Sequence, residues 1–218
     1  RFCADNNTSM VGTVAESNEN NNCGAWTNVT VSTATVCNGT GTIKRDYWIG
    51  IGGGNYVSDL TSLASYPNSP SGTSQPNSFE APTDWADNYG TRIYGYVHAA
   101  ETGSYTFYIA SDDYSELWLS TNDNPTNKVK IAYVDGWTPS RTWTNYASQR
   151  SVAKTLTAGQ KYYIEALHKE GAGGDNLAVG YTTPSNATIN VIPGACLSPY
   201  IPPAANVPPT VNAGNNQI

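Results

Sequence analysis

Charge is what this chain has least of. Asp, Glu, Lys and Arg together make up 13% of its 218 residues, 17 acidic against 11 basic, for a net charge of −6. The longest basic run is Lys44-Arg45, too little to track a phosphate backbone, so nucleic acid is not an expected partner. No apolar run approaches the roughly 20 residues of a membrane span, so membrane insertion is not expected either. There are only two histidines, His98 and His168, and no Cys-x-x-Cys pair. A zinc site therefore lacks a convincing ligand set, and a Ser-His-Asp arrangement has no signature to rest on. No segment keeps a helical period, which removes helical bundles and leaves strands.

What the chain does have is Gly, Asn, Ser, Thr and Tyr in abundance, the composition of an extracellular β protein with many turns. Its length suits one all-β domain with appendages. A chain that starts at Arg1 is expected to be a processed or excised piece of something longer. The four cysteines, Cys3, Cys23, Cys37 and Cys196, read as disulfides formed in an oxidising compartment. Three pairings exist on paper. Cys3–Cys23, closing a local loop, with Cys37–Cys196, joining the two ends of the main domain, is the favoured one.

Three regions follow from composition. Residues 1–41 form a polar, Asn- and Thr-rich N-terminal arm or the tail of a preceding module, too short for its own core and pinned by cysteines. Residues 42–202 carry the apolar alternation. Residues 203–218 form a Pro-rich linker and the start of a next module. Within the middle region, strands are expected at 92–99, 105–110, 129–134, 149–156, 161–169, 177–181 and 189–192. The fold class is all-β, an antiparallel sandwich or flattened barrel with a disulfide-pinned arm. The long loop 57–90 is Pro- and Ser-rich, and Phe79, Pro82, Trp85 and Tyr89 are its expected anchors to the sheet surface.

The most informative run is SYTFYIASDDYSELWLS at 104–120. Tyr105, Phe107 and Ile109 share one face of a first strand, and Leu117 and Leu119 one face of a second, which reads as a hairpin with an acidic elbow. Adjacent carboxylates repel, so Asp112 and Asp113 gain nothing from each other in a solvated turn. A hard divalent cation reverses that balance. A second unusual loop, EGAGGDN at 170–176, places Glu170 and Asp175 around three glycines that let backbone carbonyls turn inward. If the strands before the two loops are sheet neighbours running in one sense, both loops emerge at the same rim. Calcium takes about 6–8 oxygens at roughly 2.3–2.6 Å, and magnesium demands a stricter geometry. His168 reads as structural rather than as a ligand, and Trp118 and Trp143 as core.

The runs YTFYIASDDYSELWLS, WTPSRTWTNYASQRS and GQKYYIEALHKEGAGGDNLAVGY occur in one order. With IGIGGGNYVSDLTSLASYPNSP and SFEAPTDWADNYGTRIYGYVHA upstream and VIPGACLSPY downstream, they resemble a PA14 domain of the bacterial secreted type over about residues 42–200. NVPPTVNAGNNQI resembles the opening of a PKD- or cadherin-like module. The resemblance implies a β-sandwich in which a cis-linked Asp-Asp pair holds calcium and adjacent sugar hydroxyls complete its shell. Carried over, Asp112 and Asp113 are the metal-binding pair, and Glu170, the carbonyl near Ala172 and Asp175 are the second-loop ligands. Asp112 and Asp113 would then also meet sugar, and on chemical grounds an aromatic near the metal, Tyr114 or Trp137, could stack on the sugar's apolar face. Tyr114 equally suits packing on the sheet, and Trp137 sits in a loop that looks flexible. The function implied is calcium-dependent binding of cell-surface or polysaccharide glycans by a lectin or adhesin module, secreted or displayed beside other modules of the same chain. The alternatives are a spacer stiffened by calcium and an accessory module of a glycoside hydrolase. Adjacent carboxylates offer no division into acid and base across a glycosidic bond, so no catalysis is expected.

Overall fold

The computed structural model describes residues 36–52 and 54–202. Cys3, Cys23, the arm that carries them and the Pro-rich stretch from 203 onward lie outside the described residues. In chain order the strands are β1 (Lys44–Trp48), β2 (Gly72–Ser74), β3 (Tyr89–His98), β4 (Gly103–Asp112), β5 (Tyr114–Leu119), β6 (Val129–Val134), β7 (Lys154–Leu156), β8 (Lys161–Glu170), β9 (Asn176–Thr183), β10 (Asn186–Val191) and β11 (Leu197–Pro199). A single turn of helix, α1 (Val57–Thr61), precedes β2. Among the described residues no helix is long and apolar enough to cross a membrane.

The strands form two antiparallel sheets. One runs β2-β1-β3-β8-β5-β6, with β11 also paired to β3, and the other runs β10-β9-β4-β7. The all-β sandwich expected from the alternation is present. Its interior is where the alternating residues meet: Phe107, Ile109, Leu117, Ile164, Ala166, Leu177 and Val179 are all fully buried in one cluster between the sheets. Each of the larger side chains contributes about 1.5–3 kcal/mol over its exposed state.

The run 104–120 is not a hairpin. Asp112 ends β4 opposite Asn176 of β9 in the smaller sheet. Tyr114 begins β5 opposite Lys169 of β8 in the larger sheet. The chain therefore crosses from one layer to the other at Asp113. The same crossing happens from β8 to β9, so β4 and β8 are not neighbours in one sheet as supposed. They lie in facing layers. Two arches stand side by side at one end of the sandwich, and that brings the two loops to a common rim.

The long loop departs from its expected anchoring. Phe79 and Tyr89 are fully buried, but Pro82 is exposed and Ala81 is buried in its place. The reason is backbone pairing. Phe79 N donates to Ile192 O, Val179 N to Phe79 O and Ala81 N to Leu177 O, so 79–81 runs along β9 as a short extra strand. Alternation along that segment turns Phe79 and Ala81 to the interior and Glu80 and Pro82 to the other face. Strand 149–156 is shorter than expected and begins at Lys154, because Gln149 is used to hold a loop. Trp118 and Trp143 are half-buried on outer surfaces rather than in the core. At the far end a disulfide joins Cys37 to Cys196 across a separation of 159 residues.

Candidate metal and ligand site

The register of the two arches sets the site. With Asp112 facing Asn176 and Tyr114 facing Lys169, Asp113 has nowhere to lie but against the loop that joins β8 to β9. Gly171 N donates to Asp113 Oδ2 at 3.0 Å. The peptide bond between Asp112 and Asp113 is cis. Asp112, Asp113 and Glu170 each place a carboxylate oxygen within 4.8 Å of the others.

This arrangement is electrostatically open-ended. Glu170 is fully buried, and neither of its carboxylate oxygens has a hydrogen-bond partner among the described residues. Burial, and then Asp113, Asp112 and Asp175, push its carboxyl up to about 8. Asp112 is pushed up to about 6 by burial and by Asp113, Asp175 and Asp84. Lys169 lies beside the cluster, but its ammonium donates to the backbone O of Glu170 at 2.6 Å, and burial lowers its pKa. Three converging carboxylates with two orphaned oxygens fit a divalent cation with hard-oxygen preference.

His168 buttresses this floor. It is fully buried, and burial pushes its imidazole down to about 4. Its Nε2 lies 2.7 Å from the carbonyl of Asp112. A carbonyl only accepts, so the neutral ring carries its proton on Nε2 and holds the Asp112 backbone in place.

The remaining residues singled out from the sequence are placed as follows. Asp175 is buried but is not one of the three carboxylates that close to within 4.8 Å. Its Oδ2 accepts from the backbone N–H groups of Trp85 at 2.6 Å and Ala86 at 2.9 Å, which fastens the loop 84–88 to the glycine-rich turn. Ala172 lies in an exposed bend of that turn. Tyr114 is half-buried and packs its ring 4.9 Å from Tyr56. Trp137 is 58% exposed and its backbone bridges to Asp112.

The loop carrying Trp137 is not loose. Thr138 N donates to Ser111 O at 2.7 Å, Asn176 Nδ2 to Thr138 O at 2.9 Å and Tyr146 Oη to Trp137 O at 3.3 Å. Gln149 Nε2 donates to both Ile109 O and Thr142 O. Arg141 forks both oxygens of Glu80.

Sequence reasoning missed Asn55, Asp84 and Asn176. A methyl group on Gly171 would collide with Asn55 Oδ1 and lie 3.2 Å from Asp113 Oδ2, so Asn55 borders the same spot. Asp84 sits in the left-handed region at φ 49°, with its backbone N–H given to Asp175 O. Asp84 and Asn55 belong to loops without any period, and only the carboxylate of Asp84 beside Trp85 was there as a signal.

A two-layer antiparallel sandwich with an acidic rim built by two arches is the class of domain this chain forms. The sequence profile of the PA14 domain matches residues 54–194, more than half of the chain, and the chain belongs to that family. The mouse N-acetyl-beta-glucosaminyl-glycoprotein 4-beta-N-acetylgalactosaminyltransferase 1 is 40% identical over 99 residues, which are 43% of this chain and 10% of that protein. Dog fibrocystin is 34% identical over 92 residues, 37% of this chain and 2% of that one. The chain thus spans a tenth or less of these relatives. Among solved structures, the PA14 domain of the MpAFP antifreeze protein superposes with a TM-score of 0.56 at 16% identity, covering 83% of this chain and 100% of that one. The PA14 sugar-binding domain from an RTX adhesin gives 0.55 at 12% identity, with 73% and 98% covered. The A domain of epithelial adhesin 9 from Candida glabrata, solved with Galb1-4GlcNAc, gives 0.50 at 14% identity, with 69% and 88% covered.

Proposed function

We propose that this domain is a calcium-dependent carbohydrate-binding module of a larger secreted or surface protein. The observation that carries the reading is the meeting of Asp112, Asp113 and Glu170 within 4.8 Å at the rim, with neither Glu170 oxygen hydrogen-bonded among the described residues. Asp112, Asp113 and Glu170 would hold the cation, with the carbonyl near Ala172 and the side chain of Asp175 as further donors from the second loop. When bound, calcium supplies charge and vacant coordination positions that vicinal sugar hydroxyls can fill in place of water. The chain's own residues do the rest. His168 fixes the backbone of the Asp pair, the 171–175 turn closes over it, and Trp137 offers an exposed ring beside Asp112 for the apolar face of a sugar.

The sugar ligands named for the adhesin neighbours support the reading at the level of the class of partner. The disulfide supports an oxidising, extracellular setting. The adjacent placement of the two aspartates supports binding rather than catalysis.

The test is a glycan array together with calorimetric titration, in calcium and again in EDTA. Glycan binding that disappears with EDTA is the expected result. A calcium-raised melting temperature with no glycan signal would instead mark a calcium-stiffened spacer. Asp113→Ala should lose both calcium and sugar, since Asp113 faces the metal position and also anchors Gly171 N. Calcium-dependent sugar binding retained in that variant would overturn the assignment of the site.

A further inference from the structure

Beside Asp112 the rim opens into a hollow of about 310 Å³ walled by Thr83, Asp84, Asp112, Ser140, Asp175 and Asn176. Two of these side chains are almost fully enclosed, Asp175 at 3% and Asn176 at 6% exposure. Asp175 Oδ1 and Asn176 Oδ1 have no hydrogen-bond partner among the described residues. Asn176 Nδ2 is committed to Thr138 O, so the amide is fixed, with its enclosed oxygen unpartnered at the wall of the hollow.

The wall is one-sided in its chemistry. Thr83 and Ser140 can donate or accept, the other four side chains offer acceptor oxygens, and no Lys, Arg or His lines it. Two arginines lie nearby but outside the lining, and Arg45 offsets part of the Asp175 charge. Arg45 lies over the Trp85 ring at 4.4 Å and donates to Thr91, and Arg141 is held by Glu80. Two carboxylates converge on one point. A methyl group on Gly174 would sit 3.3 Å from Asp84 Oδ1 and 3.9 Å from Asp112 Oδ2. A ligand atom above Gly174 therefore meets both, and a hydroxyl or ammonium gains there what a carboxylate or sulfate loses.

We infer that this hollow is the selectivity pocket of the sugar site. It takes neutral or amino sugars, whose groups donate hydrogen bonds, and turns away uronic, sialic and sulfated ones, with Asp84 setting the discrimination. This rests on the carbohydrate-binding reading of the neighbouring acidic site.

The experiment uses the whole chain in saturating calcium and matched sugars that differ only in charge: the methyl glycosides of glucose, glucosamine and glucuronic acid, with the same trio in the galacto and manno series. In at least one series the neutral and amino members should bind, with the uronate weaker by about tenfold or more. Salt screens such repulsion, so the gap should narrow as sodium chloride is raised from about 0.02 to 0.5 M. Asp84→Asn should narrow it by at least about threefold, measured as the ratio of neutral to uronate affinity. Asn is among the residues that best tolerate the left-handed backbone at position 84. Uronates that bind as well as their neutral partners, or a gap insensitive to both salt and Asp84→Asn, would overturn the inference. Should that variant fail to fold, the salt dependence of the unaltered chain decides. Binding of no sugar of any charge, while calcium still raises the melting temperature, would overturn the carbohydrate reading itself and this pocket with it.

Discussion

Glu170 and Glu165 lie five residues apart on the same strand, both fully buried, with opposite surroundings. Glu165 is held between Arg92 at 2.8 Å and Lys128 at 2.7 Å. Glu170 has Asp112, Asp113 and Asp175 acting on it, with only the neutral ring of buried His168 3.9 Å from its Oε2 and the Lys169 ammonium turned to its backbone O. Burial pushes Glu165 up, but Arg92 and Lys128, with hydrogen bonds from Lys128 and Tyr163, outweigh it and leave the carboxyl below its ordinary value. A carboxyl depressed by folding adds stability that is complete above the ordinary glutamate range and is lost as pH falls through the lower folded value. Glu165→Gln should cost about 3–5 kcal/mol at pH 7, the loss typical of breaking a buried pair. Urea titrations of variant and parent should begin to converge as the pH falls below the ordinary glutamate range and through the lower folded value. A deficit constant with pH would mean that packing, not charge, is lost.

Glu170→Gln should behave in the reverse sense. It removes a buried carboxylate that has acids for neighbours, so stability in EDTA should hold or rise by about 1 kcal/mol, while the gain on adding calcium shrinks. Melting curves in EDTA and in calcium read both. An equal drop in the two would show that Glu170 packs rather than ligates.

At the scale of elements, the two arches and the loop 135–149 matter most. Gln149 is fully buried. Its amide nitrogen serves Ile109 O and Thr142 O, and its oxygen accepts from Tyr146 N. Gln149→Ala would strand those carbonyls and release the loop that holds Trp137. The expected loss is about 2–4 kcal/mol, from two buried acceptors left unpaired. Hydrogen exchange should rise across 138–148, and unchanged protection there would refute the role.

The long central strands were legible in the sequence, whereas the short β1, β2 and β11 were not among those expected. Tyr105, Phe107 and Ile109 alternate, and all three are buried. The crossing at Asp113 was not legible. Alternation reports which face of a strand is buried, and both layers share one interior, so β5 keeps Leu117 and Leu119 inward whichever sheet it joins. The carboxylates at 112, 113 and 170 stood out because like charges beside glycines are chemically odd. Asp84 and Asn55 did not, because a loop without period gives no clue to what it touches. Trp118 and Trp143 were misjudged for a related reason. Their size argues for burial, but the outer sheet face and the surface over Gly180 bury only half a ring.

At the scale of the molecule, Cys37–Cys196 closes nearly the whole domain into one covalent loop. Replacing both cysteines by serine should destabilise the domain by about 2–5 kcal/mol while leaving the acidic rim intact. Denaturant melts should show the loss, and calcium affinity should stay within about twofold of the parent if rim and clasp are independent. The distance between them argues that they are. Along β3, Tyr89 faces Glu170 at the rim and Val97 faces Leu197 beside the clasp. Eight residues of strand separate the two by roughly 26 Å at about 3.3 Å each.

That clasp has a mechanical meaning. Tension applied to the chain before residue 37 and after residue 196 passes directly across a covalent sulfur bridge. The strands between are bypassed. A ligand held at the far rim would pull against an intact sandwich, and neither the arches nor the carboxylates would lie in the path of the load between the two chain ends.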